Sequence, residues 1–340
     1  MCIKVKRVSI LVVLICILLA SYNYANSYTD AANLKLVYIS DLNLFPTPSV
    51  SQREKHIAEK QYGLLLFESQ AIFQEIIRYI NQKFDSDFVV FGGNNISGFS
   101  GSLINGASEN VWHLFLDMVS EIKSDVLLVP GKNEKQTQKK DELTRVLSSF
   151  GPSVEQTWWS YKIKKYLLLS LDSDLMFENN HASVNQLKWL KKILEENKKT
   201  LTLIFMHRAL IDPEGEIIKS DSVENYFKIL KEYPQVVLTV SGDKYLNRIK
   251  LINKSIYLIS PSPIAFPCSF KFIELTPTSL KISTLRIPLG GIVKKAEKYL
   301  IESDTARSLF PESPLLIKKY VLGDSSDSNF QISYSDLRNR

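Results

Sequence analysis

The chain has 340 residues, 45% of them hydrophobic and 23% charged, with 42 basic and 36 acidic side chains and a net charge of +6. That composition supports a sizeable core and excludes a wholly disordered chain, a collagen-like repeat and a polytopic membrane protein.

Residues 1–27 read as a secretory leader. Lys4, Lys6 and Arg7 make a basic start, an apolar run from Val8 to Ala20 follows, and Ala25-Asn26-Ser27 supplies small residues for cleavage. The run is shorter than the roughly 20 residues that cross a bilayer. Export to the periplasm or the exterior is therefore expected; an uncleaved leader would instead anchor the chain, and only then is a membrane a partner. Cleavage takes away three basic and no acidic residues, leaving a net charge of +3. That is too mild to argue for nucleic acid. Cys2 and Cys16 leave with the leader, so Cys268 stands alone and neither an internal disulfide nor a cysteine metal site can form.

The mature chain alternates apolar runs with amphipathic stretches, the pattern of an α/β sheet. Leu34–Ile39 is a predicted strand ending at Ser40-Asp41. Ser69–Phe84 is a predicted helix with Ile72, Ile76, Ile77 and Ile80 on one face. Asp87–Phe91 is a strand closing on Gly92-Gly93-Asn94-Asn95. A helix over 109–122 carries Trp112, Phe115, Leu116 and Val119, and Val126–Val129 is a strand before Pro130-Gly131. Tyr166–Leu171 is a strand ending at Asp172. Ser183–Glu196 is a helix that Ser183 and Gln186 would start as a capping box. Leu201–Met206 leads into His207, Val236–Val240 into Ser241-Gly242, and Ile256–Ile259 into Ser260-Pro261. Phe270–Leu275 and Leu280–Ile287 suit an antiparallel pair, and a helix is expected over about 292–308. From about Gly323 the chain is rich in Ser, Asp and Asn, and disorder is expected. The organisation is thus a leader (1–27), one domain (34–287) and a C-terminal extension with a disordered tail (288–340).

Five strands end in short polar or glycine turns: at Asp41, at Gly93-Asn94, at Gly131-Lys132-Asn133, at His207 and at Gly242-Asp243. In α/β sheets the ligand crevice lies beyond the carboxyl ends of the strands, so these turns are candidates for one site.

In order and frame the turns resemble the calcineurin-like metallophosphoesterases. YISDLNL, DFVVFGGNNIS, VLLVPGKNE, the segment NQLKWLKKILEENKKTLTLIFMHRAL and VVLTVSGDKY stand where that family carries Asp-x-His, Gly-Asp, Gly-Asn-His-(Asp/Glu), a lone His and Gly-His-x-His. WWSYKIKKYLLLSLDSD resembles the strand pair between them. The resemblance spans residues 34–287 and implies an α/β sandwich of two mixed β-sheets flanked by helices. In the family these turns hold two cations that activate water and clamp phosphoryl oxygens.

Carried over position by position, Asp41 and His207 keep the family's residue types. Asn43 stands for the first His, Asn94 for the bridging Asp, Lys132 for the metal-binding Asn and Asn133 for the catalytic His. Asp243 and Tyr245 stand for the closing histidines. A neutral amide cannot balance cationic charge as a carboxylate does. A unit charge about 4 Å from another, at an effective dielectric near 20, is repelled by roughly 4 kcal/mol, and a dication beside Lys132 would feel about twice that. A binuclear site is not expected. Lys132 and Lys244 would instead supply fixed positive charge, countering Asp41 and Asp243. His56, His113 and His181 lie at no ligand position, Asp172 has a structural role in the family, and a Gly/Ser-rich loop (98–108) could cover the site.

Three readings follow. The first is an exported pseudoenzyme used for binding or assembly with a protein partner or a phosphate-containing ligand. The second is a residual phosphoesterase holding a single divalent cation (Mn, Zn or Fe) through Asp41, Asn94, His207 and Asp243. The third is a non-hydrolytic phosphate- or nucleotide-binding module using Lys132, Lys244 and turn amides. No Gly-x-Ser-x-Gly elbow, P-loop or dinucleotide fingerprint occurs.

Overall fold

The computed structural model describes residues 33–45, 59–60, 63–98, 107–178 and 180–339, with backbone alone at 107–110. The leader, His56 and the Gly/Ser-rich loop beyond Gly98 as far as residue 106 lie outside these residues.

Leu34–Ile39 (β1), Phe88–Phe91 (β2) and Asp125–Leu128 (β3) run parallel, joined by helices α1 (Ser69–Lys83) and α2 (Ala107–Val119). Parallel neighbours require such crossovers, which fixes the helices to the faces of the sheet. Two short helices follow, α3 (Lys132–Thr137) and α4 (Lys140–Ser149).

The chain then builds a second sheet. Its elements are β4 (Trp159–Ile163), β5 (Tyr166–Leu171), α5 (His181–Glu196), β6 (Leu201–Met206), α6 (Asp221–Glu232), β7 (Val236–Ser241), β8 (Arg248–Ile252) and β9 (Ser255–Ile259). The strand order is β4-β5-β6-β7-β9-β8, with the four inner strands parallel.

β10 (Ser269–Leu275) and β11 (Ser279–Arg286) form a hairpin that returns to the first sheet, β10 lying antiparallel to β1. The C-terminal part comprises α7 (Gly290–Glu302), α8 (Asp304–Leu309), α9 (Leu316–Leu322), α10 (Ser325–Ser328), β12 (Asn329–Ser333) and α11 (Tyr334–Asn339). The first sheet has the order β12-β11-β10-β1-β2-β3. Two mixed sheets flanked by helices is the expected fold class.

Strand alternation divides the apolar residues between two cores. Leu34, Leu36 and Tyr38 of β1 join Leu203, Phe205, Leu238 and Val240 between the sheets. Val37 and Ile39 join Phe73 and Ile76 of α1 in the larger core beneath the helices. The inner strands are therefore buried on both faces, and read as apolar runs without alternation. Tyr38 stacks on Phe205 with centroids 6.0 Å apart and donates its hydroxyl to the Met206 carbonyl at 3.3 Å, tying sheet to sheet.

Two local expectations need correction. Helix α5 begins at His181, and its cap is Asn180, whose side chain accepts from Ser183 N at 3.0 Å. Gln186 instead turns inward: its Oε1 accepts from Asp172 N at 2.8 Å and its Nε2 donates to Asp172 O at 3.0 Å. The second correction concerns the tail. The stretch from about Gly323 is structured, and β12 pairs antiparallel with β11 from Ser333 opposite Ser279 to Asn329 opposite Ser283. Few apolar residues lie there, but Ile332, Tyr334 and Leu337 bury themselves over the end of the inter-sheet core.

A polar clasp holds this tail. Lys271 of β10 is wholly buried and its ammonium donates to Asn247 Oδ1, to Thr284 Oγ1 at 2.7 Å and to Asp327 O at 2.9 Å. Three donors meet three acceptors, as a buried ammonium requires. Asn247 donates in turn to Leu322 O at 2.9 Å, and Asp327 accepts from Ile249 N at 2.6 Å. Burial pushes the Lys271 ammonium down to about 7, with the Asp327 carboxylate opposing. The unfolded chain then binds more protons than the folded one between about pH 7 and pH 10, so stability rises with pH across that window. Urea denaturation of the wild type is expected to show that rise, and Lys271→Met is expected to abolish it. The same variant should lose about 3 kcal/mol at neutral pH, because Asn247 Oδ1 and Asp327 O lose their donor.

Candidate functional site

The five turns do converge. β1, β2 and β3 of one sheet and β6 and β7 of the other present their carboxyl ends to one place, where the sheets meet. The backbone there is unusual. Asp41, Asn43, Asn94, Asp243 and Tyr245 all have left-handed φ, between 44° and 69°. Asn and Asp tolerate that region; for Tyr245 it costs on the order of 1 kcal/mol, which surrounding contacts must offset. Tyr245 is held through its hydroxyl, which accepts from Asn43 Nδ2 at 3.4 Å, and the first two turns are tied by Asp41 N donating to Gly93 O at 3.0 Å and Asn43 N to Asn94 O at 2.8 Å.

Asp41 is wholly buried at the centre. Its Oδ2 accepts from Ser40 Oγ and from Asp243 N, both at 2.8 Å. Its Oδ1 lies 3.4 Å from the donating Asn94 Nδ2 and 3.3 Å from His207 Nε2. Burial pushes the carboxyl up to about 6; the His207 imidazole pulls it down and the Asp243 carboxylate raises it. Gly242 is required beside it, since a Cβ there would overlap Ser40 Oγ and Asp41 Oδ2. His207 is also buried, and neither ring nitrogen makes a well-directed hydrogen bond among the described residues.

The amides form a second layer. Asn94 Oδ1 accepts from Asn133 N at 3.1 Å. Asn133 Nδ2 donates to Asn43 Oδ1 and to Ile96 O, both at 3.0 Å. Asn43 Nδ2 donates to Asp41 O at 3.2 Å and to the Tyr245 hydroxyl at 3.4 Å. Burial above all, with the Asp41 carboxylate adding, pushes the Tyr245 hydroxyl well above its ordinary range, so it stays a neutral phenol.

Glu134 is the residue the sequence does not single out. It is buried, and its carboxylate accepts four backbone amides: Asn95 N at 2.6 Å, Gly131 N at 2.9 Å, Asn94 N at 3.0 Å and Ile96 N at 3.4 Å. This one side chain fixes the second and third turns against each other. A glutamate at the third position of a helix that follows a glycine is the signal that could have found it, since it reaches back to the Gly131 amide.

The lysines do not act as the sequence suggests. Lys132 is exposed and makes no hydrogen bond or ion pair among the described residues. The repulsion reasoned above therefore does not operate at contact distance. Lys244 is 39% exposed and lies 3.3 Å from Asp243 Oδ2, so Asp243 brings its amide, and not its carboxylate, to Asp41. Asp41 is countered by hydrogen-bond donors and His207. The half-buried cation near the site is Lys135, 2.6 Å from both Asp172 and Asp174. Thr157 Oγ1 donates to the other oxygen of Asp172 at 2.7 Å.

No protein-family model and no curated protein matches the sequence. Solved structures do match in shape. A dimetal phosphatase from Danio rerio superposes with a TM-score of 0.59 at 13% identity, covering 74% of this chain and 95% of that one. A Plasmodium protein, GAP50, described as the anchor in the inner membrane complex, superposes at 0.52 and 13% identity, covering 77% and 87%. The fold is that of the calcineurin-like metallophosphoesterases.

That fold implies a pair of cations at the convergent turns, and the residues present do not fit them. Asp41 already accepts from Ser40, Asp243 and Asn94. Asn94 presents its NH2 group, and not its oxygen, toward Asp41, and that oxygen accepts from Asn133 N. The Asn43 oxygen is likewise occupied. Among the described residues, no three His, Cys, Asp or Glu side chains are grouped to hold a metal ion.

Glu134→Ala is expected to cost about 3 kcal/mol in urea denaturation, because four buried amides lose their acceptor. Lys132→Ala is expected to change stability by less than about 0.5 kcal/mol. Together the two distinguish a site organised by Glu134 from one organised by lysine charge.

Proposed function

We propose that this chain is a non-hydrolytic protein with the metallophosphoesterase fold, exported by its leader and used for binding or assembly. The observation that carries the reading is the amide network. Asn43, Asn94, Asn133 and Tyr245 stand at family ligand or catalytic positions and satisfy one another's hydrogen bonds. A site that had merely lost ligands would leave buried polar atoms unpaired. Here the pairing among Asn43, Asn94, Asn133 and Tyr245 is close to complete, and the unpaired buried atoms at the turns are the two His207 nitrogens and Asn95 Oδ1.

Phosphoryl transfer needs charge placed where the transferred oxygens develop theirs. The buried charges here are Asp41 and Glu134, both anions, while Lys132 faces solvent, Lys244 pairs with Asp243 and Lys135 with Asp172 and Asp174. A role in assembly has a parallel in a protein of similar fold, since GAP50 is described as an anchor. Among the described residues no helix is long and apolar enough to cross a membrane.

The test is to incubate the purified chain with manganese or zinc, remove free ion, and measure bound metal and hydrolysis of phosphomonoesters and phosphodiesters. Substoichiometric metal and turnover at the level of the blank are expected. Metal-dependent turnover that Asp41→Ala abolishes would overturn the reading.

A further inference from the structure

Beside the amide network lies a cavity of about 400 Å³. One wall comes from Leu64, Leu246 and Phe266 near the site turns; the other comes from Leu300, Ile317 and Val321 of the C-terminal helices. Tyr245 forms part of the partition, lining the cavity while its hydroxyl accepts from Asn43 on the site side. The volume falls in the range of small-molecule sites, which are mostly apolar with a few convergent polar groups.

Its opening can be located. Leu309 lines the cavity and is 50% exposed, and Ile217, adjoining the lining residue Ile218, is 36% exposed. Apolar side chains left in water at the lip of an apolar cavity mark a surface that something covers.

The polar groups at the cavity say what. Lys244 lines it, and Asp243 engages one of the three donors of its ammonium, leaving two. Tyr320 also lines it, and its hydroxyl makes no hydrogen bond among the described residues. Asp212, the acidic residue of the lining, has its Oδ1 turned into its own loop, accepting from Glu214 N at 3.0 Å, Gly215 N at 2.9 Å and Glu216 N at 2.8 Å, and its charge and that of Glu214 act on the Tyr320 side of the cavity, which leaves the Lys244 side for an anion. The cavity therefore offers spare donors above an apolar interior.

We propose that this cavity binds a small amphipathic anion, with its apolar body between Leu246 and Ile317 and its carboxylate, sulfonate or phosphate head on Lys244. The site does not depend on whether the neighbouring turns hydrolyse anything. It draws one wall from the C-terminal helices, so α7 to α9 serve here as half of a binding site.

The test uses an anilinonaphthalene sulfonate dye, which has an apolar ring system and an anionic head, followed by displacement with dodecanoate. The full chain is expected to bind one dye per molecule saturably, with enhanced fluorescence, and dodecanoate is expected to displace it. Ile218→Trp, at a half-buried lining position, should block binding while leaving the melting curve unchanged. Lys244→Gln should weaken binding by about tenfold, the loss of one charge-assisted contact. If Ile218→Trp does not fold, Leu309→Trp at the exposed lip makes the same test. Absence of saturable binding, or saturable binding that neither tryptophan reduces, overturns the cavity as the site. Binding that Lys244→Gln leaves unchanged overturns the anionic head.

Discussion

A carboxylate taken wholly out of water must be surrounded by donors, and the geometry of this protein around Asp41 follows from that requirement. Ser40 supplies a hydroxyl, Asp243 a backbone amide, Asn94 a side-chain amide and His207 an imidazole edge. Two of these groups belong to the sheet that carries Asp41, and two belong to the other sheet. The carboxylate is therefore a joint between sheets as well as a site residue. It also explains Gly242: the Asp243 amide reaches Asp41 only if the chain passes too close for a Cβ.

Around this joint the turns adopt left-handed backbone at five non-glycine positions. In a metal-binding relative of this fold, cations would hold such turns together from outside the covalent chain. Here Glu134 gathers the second and third turns by accepting four amides, and the asparagines lock the first turn to the other two. A carboxylate that ties loops together by accepting N–H groups needs no cation to balance it, because the amide dipoles point their positive ends at it. The positive charge nearby serves a different purpose, with Lys135 binding the end of β5 to α3 through Asp172 and Asp174.

The C-terminal part is integral to the domain rather than an appendage. β12 completes the first sheet, and the Lys271 clasp connects that sheet with β8 of the second and with the tail. Its composition hides this. A Ser- and Asp-rich stretch reads as disordered because propensity is summed over neighbours. Three well-placed apolar residues, Ile332, Tyr334 and Leu337, and a buried ammonium in need of acceptors suffice to order it.

By itself, the sequence determined most of the inner strands, the helices α1, α2, α5 and α7 and the turns at which the chain converges, since apolar periodicity and glycine turns are local signals; α3, α4, α6, β8 and β12 were not legible in it. Tyr166–Leu171 and Leu201–Met206 fall where their apolar runs place them. It also determined which residue types stand at the family's ligand positions. It did not determine what those residues do. Whether Lys132 faces the site or water, and whether Asp243 offers its carboxylate or its amide, depends on backbone dihedrals set by contacts between turns far apart in the chain. The roles of Glu134 and Lys271 were decided the same way. A buried charge takes its meaning from the donors and acceptors that tertiary structure brings to it, and those partners lie as far as 56 residues from Lys271 in sequence.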